Sequence, residues 1–72
     1  MSKRITGRVK YFKSSAGFGF ITPDDKSGDI FVNQTAIPKN AQGKRELRVG
    51  QKVSFIVKHS PDSRYATSVR TS

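Results

Sequence analysis

The sequence predicts an all-β fold of five strands closed into a small barrel, and three observations predict it. Apolar residues recur at every second position in several short stretches, which is the period of a half-buried strand. Clusters of Gly, Pro, Asp, Asn and Ser separate those stretches and mark turns. No window carries an apolar stripe at helical spacing long enough to pack a helix. The chain has 72 residues, 33% of them hydrophobic, which is enough for one small core. Closure follows because an open sheet of this size would leave its edge strands exposed.

The first strand runs from Ile5 to Lys13, with Ile5 and Val9 on one face and Arg8 and Lys10 on the other. Gly17-Phe18-Gly19-Phe20-Ile21 alternates strictly and forms the second. Residues 22–28 begin Thr-Pro-Asp-Asp and end in Gly28, a turn composition. Asp29-Ile30-Phe31-Val32-Asn33 is the third strand, rich in residues that suit a pleated sheet. These three make a meander. After Thr35-Ala36-Ile37-Pro38, the polar stretch from Lys39 to Arg48 is a long connection that ends in the turn Val49-Gly50. Gln51 to His59 is the fourth strand, with Val53, Phe55 and Val57 on one face. Ser60-Pro61-Asp62-Ser63 turns the chain into a fifth strand, Tyr65 to Arg70, with Val69 inward. The expected core is Ile5, Val9, Ile21, Ile30, Val32, Val53, Phe55, Val57 and Val69. A single domain is expected to span residues 1–72.

Charge narrows the function. Fourteen Lys and Arg against five Asp and Glu give a net charge of +9, a field that draws polyanions such as nucleic acid. The chain has no Cys, which removes disulfides, thiolate metal sites and thiol nucleophiles and favours a reducing, cytoplasmic setting. The basic start is followed by no apolar run, so neither a secretory signal nor a membrane span is expected. The lone His59, beside Ser60, has no positioned acid or oxyanion site and makes no triad. Asp24 and Asp25 are adjacent in a turn and point apart, which suits a hairpin better than acid–base work. Gly17-x-Gly19 lacks the third glycine and following helix of a dinucleotide fingerprint. The expectation is a protein without catalytic residues, metal, cofactor or small-molecule substrate.

The aromatic residues point to the polyanion. In the second strand Phe18 and Phe20 share a face, and with Ile30 and Val32 in the core, Phe31 projects to the other side beside Asn33. Arg8, Lys10 and Lys13 surround them. A chain short of core material that places three Phe on its outside needs a reason. Unpaired bases supply one, since each stacks on an aromatic ring for about 1–3 kcal/mol, largely regardless of sequence. Phe18 and Phe20 lie roughly 6.6 Å apart along the strand, a spacing comparable to neighbouring bases in an extended strand. The competing reading packs the three rings under the long connection or in a dimer contact. Strict parity puts Phe12 outside and Tyr11 inside, whereas a bulge near the strand end turns Tyr11 outward. Parity leaves both open.

The chain resembles the bacterial cold-shock protein family. The likeness runs from Thr6-Gly7-Arg8-Val9-Lys10-Tyr11-Phe12 through Gly17-Phe18-Gly19-Phe20-Ile21-Thr22-Pro23-Asp24-Asp25 to Asp29-Ile30-Phe31-Val32, and resumes at Ala36-Ile37, Leu47 and residues 49–55. It implies a five-stranded antiparallel OB-type barrel, the cold-shock domain, that binds single-stranded RNA and DNA as an RNA chaperone, with possible roles in translation and transcription antitermination. It further implies that Phe18, Phe20 and Phe31 are stacking platforms, with Lys10 nearby on the same surface. Tyr11 stands where the family usually has an outward Trp, which favours the bulge. Phe12 matches a Phe lying partly under the surface, and Asp29 a position that often bonds a base edge.

Departures accompany the likeness. Ala16 replaces the usual Lys, Lys13 a common Asn, and Asn33-Gln34 a typical His-Phe. The connection from Pro38 to Arg48 has no aromatic residue but carries Lys39, Lys44 and Arg45. Ser63-Arg64-Tyr65-Ala66 replaces Gly-Pro-x-Ala. Fewer rings and more charge imply a shift toward phosphate contact and salt-sensitive binding. Arg64 and Tyr65 either restore part of the missing stacking or, for Tyr65, only cover the barrel end. The lost ring at Gln34 favours an alternative, a basic module that docks on the ribosome or a protein partner. A monomer is the expected state.

Overall fold

The computed structural model describes residues 4–39 and 41–71. It contains β1 (Arg4–Lys13), β2 (Phe18–Pro23), β3 (Ile30–Asn33), a single 3-10 turn (Gln34–Ala36), β4 (Lys52–His59) and β5 (Arg64–Thr71). The strands close into a barrel in the order β1-β2-β3-β5-β4. The five-stranded all-β barrel is as expected, with one refinement of its pairing. The pairs β1–β2, β2–β3, β4–β5 and β1–β4 are antiparallel, whereas β3–β5 is parallel. An odd ring imposes this: strand direction cannot alternate all the way round five strands, so one neighbour pair must run the same way. The long connection from β3 to β4 carries the chain across so that β5 returns beside β3.

Alternation fills the barrel as expected, with adjustments. Val9, Ile21, Ile30, Val32, Val53, Phe55 and Val69 are buried, while Ile5 and Val57 pack half-buried against them. Ile37, Leu47 and Ala66 complete the core. Among the described residues of the polar connection Leu47 is the one that is buried, and its burial ties that long segment to the barrel end. Phe55 is fully buried, a side chain whose transfer from water contributes about 1.5–3 kcal/mol.

Two register shifts shape the barrel. In β1, Val9 pairs with Ile21 and Tyr11 with Phe20, so Lys10 is an extra residue. In the β4–β5 pair, Ser54 faces Arg70 and Ile56 faces Thr67, so Phe55 opposes both Ser68 and Val69. Ser68 takes φ 51° there, and its carbonyl accepts a 2.8 Å hydrogen bond from the Arg4 guanidinium. Such bulges sharpen strand bend, and a five-stranded ring needs that bend to close.

Candidate nucleic-acid interface

The β1 bulge decides the face of Tyr11. With Lys10 looped out, Tyr11 moves to the outer side opposite Phe20, and Phe12 opposes Gly19. Phe12 then packs half-buried against the core rather than projecting outward. This settles what parity left open, in favour of the bulged reading.

Pairing across the sheet now builds a row. Tyr11 pairs with Phe20, Phe20 with Phe31, and Phe31 with Tyr65, so aromatic residues stand in register on β1, β2, β3 and β5. A second row follows from Lys13 to Phe18 to Asn33. Ring centroids are 5.6 Å apart for Tyr11–Phe20, 5.9 Å for Phe20–Phe31 and 5.8 Å for Phe18–Phe31. The Phe18–Phe31 pair is stacked at 29° and Phe20–Phe31 is edge-on at 74°. Tyr11 is 41% exposed, while Phe18, Phe20 and Phe31 are half-buried. The three Phe are therefore on the outer face but shielded in part by one another.

Two glycines hold the rings in place. A Cβ on Gly19 would collide with the Tyr11 carbonyl oxygen and stand 2.7 Å from Phe12 Cα. Only a residue without a side chain lets β1 and β2 approach this closely between Phe18 and Phe20. Gly17 adopts φ +78°, and a Cβ there would meet Gln34 Cδ at 2.9 Å. The Gln34 N–H donates to the Gly17 carbonyl at 2.8 Å. Gln34 thus latches the turn that aims Phe18.

The polar groups sort into those beside the rings and those drawn elsewhere. Lys10 Nζ lies 2.6 Å from Asp29 Oδ2, and Thr22 Oγ1 donates to Asp29 Oδ1 at 3.0 Å. The Lys10 and Thr22 hydrogen bonds hold the Asp29 carboxyl below its ordinary value, and Asp29 in turn raises the Lys10 ammonium. Both carboxylate oxygens are engaged, so a base edge bonding Asp29 must share or displace these donors. Asn33 caps the 3-10 turn, its Oδ1 accepting from Thr35 N at 3.0 Å and Thr35 Oγ1 at 3.2 Å. Its amide nitrogen keeps its donor capacity. Lys13 is exposed at the end of the second row.

Arg8 and Arg64 each donate to a backbone carbonyl. Arg8 pairs with Thr22 and Lys52 and donates to the Gly50 carbonyl at 3.3 Å. Arg64 donates to the Ser27 carbonyl at 3.1 Å, which fastens it to the β2–β3 turn. Arg8 entered the expected site as the outward neighbour of Lys10 on β1, and Arg64 as the residue before Tyr65; each has a backbone carbonyl as partner.

Sequence reasoning missed a groove of about 370 Å³ beside the row, lined by Phe31, Asn33, Thr35, Ala36, Tyr65 and Thr67 among others. It also missed Lys58, which pairs with Tyr65 and continues the aromatic row onto β4. Both depend on the parallel β3–β5 contact, which no local pattern signals. Among the described residues no group of His, Cys, Asp and Glu is arranged to hold a metal. Among them, too, no helix is long and apolar enough to cross a membrane.

Known proteins carry the same frame. The 'Cold-shock' DNA-binding domain matches residues 5–72. The chain is 46% identical over 71 residues to cold shock-like protein CspG of Escherichia coli, covering 99% of each. It is 48% identical over 65 residues to probable cold shock protein A of Mycobacterium tuberculosis, covering 90% of this chain and 94% of that one. The solved structure of Drosophila Unr CSD456 superposes with a TM-score of 0.77 over 97% of this chain and 27% of its own, at 23% identity, a likeness of fold alone. With a family match over nearly its full length and relatives of equal size, the chain belongs to the cold-shock domain family of non-enzymatic nucleic-acid-binding proteins.

Proposed function

We propose that this protein binds single-stranded RNA and DNA on the row Tyr11–Phe20–Phe31–Tyr65 with Phe18 beside it, and acts as an ATP-independent RNA chaperone. The observation that carries the reading is the register: four aromatic residues stand side by side on four neighbouring strands. Bases stacked on them contribute about 1–3 kcal/mol each. Lys10 and Lys13 lie at the margin to meet phosphates, and Asn33 has amide hydrogens to donate to a base edge. Phe12 acts from beneath, by supporting the strand under Tyr11. Asp29 acts through its hold on Lys10. Arg8 and Arg64 add to the positive field that draws the strand.

Chaperoning follows from mass action. A protein that binds only unpaired strand stabilises it by about 2.7 kcal/mol per site at 100 times Kd. One base-pair step of DNA contributes about 1.4 kcal/mol, so one bound molecule offsets roughly two steps. Several along a strand open weak hairpins, and long duplexes resist. Action as a single cold-shock domain in the cytoplasm, as a monomer, fits a mechanism that needs no partner and no fuel. A role in translation or transcription antitermination is its natural consequence where a hairpin is the signal.

The test is a titration with a short pyrimidine-rich oligonucleotide, read by fluorescence of the two tyrosines, with Phe18→Ala/Phe20→Ala as the control. Stacking predicts quenching in the parent and a loss of about 2–6 kcal/mol in the double variant, two rings at about 1–3 kcal/mol each. A parent that binds no oligonucleotide would overturn the reading and favour docking on the ribosome or a protein.

A further inference from the structure

Lys10, Lys13 and Lys58 stand with the aromatic rows, and Lys10 is already paired with Asp29. Four other cations gather where β5 ends against the long connection. Three grooves join there. The first, between Phe31 and Tyr65, shares Thr35 and Ala36 with a second of about 370 Å³ that Arg45 and Arg70 line. The second shares Pro38 with a third of about 300 Å³, lined by Lys39, Arg48 and the acid Glu46 among others. The three form a continuous path that leaves the aromatic row, rounds the 3-10 turn and runs along the end of β5. Its start is aromatic and polar, and its continuation carries four cations against one acid.

We propose that this path is a second, electrostatic segment of the binding site, taking the phosphodiester backbone of the same unpaired strand after it leaves the rings. The proposal rests on the stacking reading for the strand's point of departure. Length and charge both support it. Domains of this barrel class cover about 4–16 nucleotides depending on the route, and a strand confined to one aromatic row uses the lower end of that range. The second and third grooves have no aromatic ring among their lining residues on which a base could stack, but phosphates need only charge and access. Arg45 and Arg70 lie in one groove on opposite sources, the connection and β5, so a backbone seated there touches both. The path has one exit from the row, so the strand is extended at one end only.

Abasic extensions isolate this segment, because they add phosphates without bases. Kd is measured by anisotropy for a labelled oligothymidine of about five nucleotides, alone and with about seven abasic units at its 5′ or its 3′ end, at several salt concentrations. The extension at one end tightens binding and steepens the log–log salt slope by about 2–3, from about 0.7 per phosphate neutralised. In Arg45→Gln/Arg70→Gln about 1.4 of that slope is lost, while the unextended strand binds as before. Both residues are exposed, and an unchanged melting temperature confirms that the fold is kept. The proposal is overturned if neither extension tightens binding, if both do so equally, or if the variant weakens the unextended strand as much. Should the unextended strand fail to bind while an extended one binds with an Arg45- and Arg70-dependent slope, the stacking reading falls and the electrostatic path stands.

Discussion

Gly19→Ala isolates the closest backbone approach in the candidate site. Gly19 is not in a positive-φ conformation, so alanine meets no conformational penalty and the whole effect is steric. The added Cβ would stand 2.7 Å from Phe12 Cα and 2.8 Å from Phe12 Cδ2, besides striking the Tyr11 carbonyl. Two of these three atoms are backbone and cannot swing aside. To reach an ordinary carbon–carbon separation of about 3.5 Å, β1 must withdraw by roughly 0.8 Å at Phe12. Overpacking of this kind costs about 1–3 kcal/mol. A domain of this size melts about 4–8 °C lower per kcal/mol lost, so a fall of at least about 4 °C is expected. The same displacement shifts Tyr11 away from Phe20, so oligonucleotide affinity falls together with stability. Thermal and urea denaturation measure the first and a binding titration the second. A variant within about 0.5 kcal/mol of the parent and with unchanged affinity would refute the close-approach argument.

The acid–base pair beside the rings and the strained serine each give a further expectation. Asp29 is held below its ordinary carboxyl value by Lys10 and Thr22. The pair's stabilisation is therefore fully present above about pH 4, the usual Asp range, and is lost as pH falls through the lower folded-state value. Lys10 is raised by Asp29, so the alkaline loss comes only above about pH 10.4. The difference in melting temperature between the parent and Asp29→Asn should be flat from about pH 5 to 9 and close toward zero in strong acid; a difference that changes near neutrality would contradict it. Ser68 sits at φ 51°, a region that costs an L-residue about 1–2 kcal/mol. Glycine relieves that cost but loses about 0.5–1 kcal/mol in chain entropy. Ser68→Gly should gain about 0.5–1 kcal/mol in denaturant, and a destabilised variant would contradict the strain.

What the sequence revealed and what it withheld divide along locality. Alternation located all five strands and most of the core because each signal lies within one strand. Leu47 belongs to the family likeness but not to the expected core, since burial of a lone leucine in a polar stretch depends on the barrel end it covers. Tyr11 and Phe12 stayed undecided because a bulge is defined by two strands, and only the pairing with Phe20 and Gly19 shows it. The Phe31–Tyr65 neighbours come from the parallel closing pair, two strands far apart in the chain. Gln34 reads as a lost ring in the sequence, whereas in the fold its N–H closes the turn beneath Phe18. Arg8 and Arg64 have partners far off in the chain, the carbonyls of Gly50 and Ser27, which no pattern within one strand signals.

The half-burial of the Phe rings resolves the conflict that a core-poor chain creates by placing them outside. Each lies against another aromatic, and three such ring pairs contribute about 0.5–1.5 kcal/mol apiece beyond their buried area. Their sum is a substantial share of the roughly 4–11 kcal/mol expected for a domain of this length. The platform is thus part of what holds β1, β2 and β3 together, and it stands preorganised before any base arrives. Function and stability are coupled through the same side chains. A Phe20→Ala variant removes a base platform and two ring contacts at once, so its loss of affinity includes a looser sheet. Phe20→Leu keeps apolar bulk while removing the π face, and the difference between the two variants separates stacking from scaffold. The cations at the end of β5 belong to neither, which is why they can be neutralised without disturbing the rings.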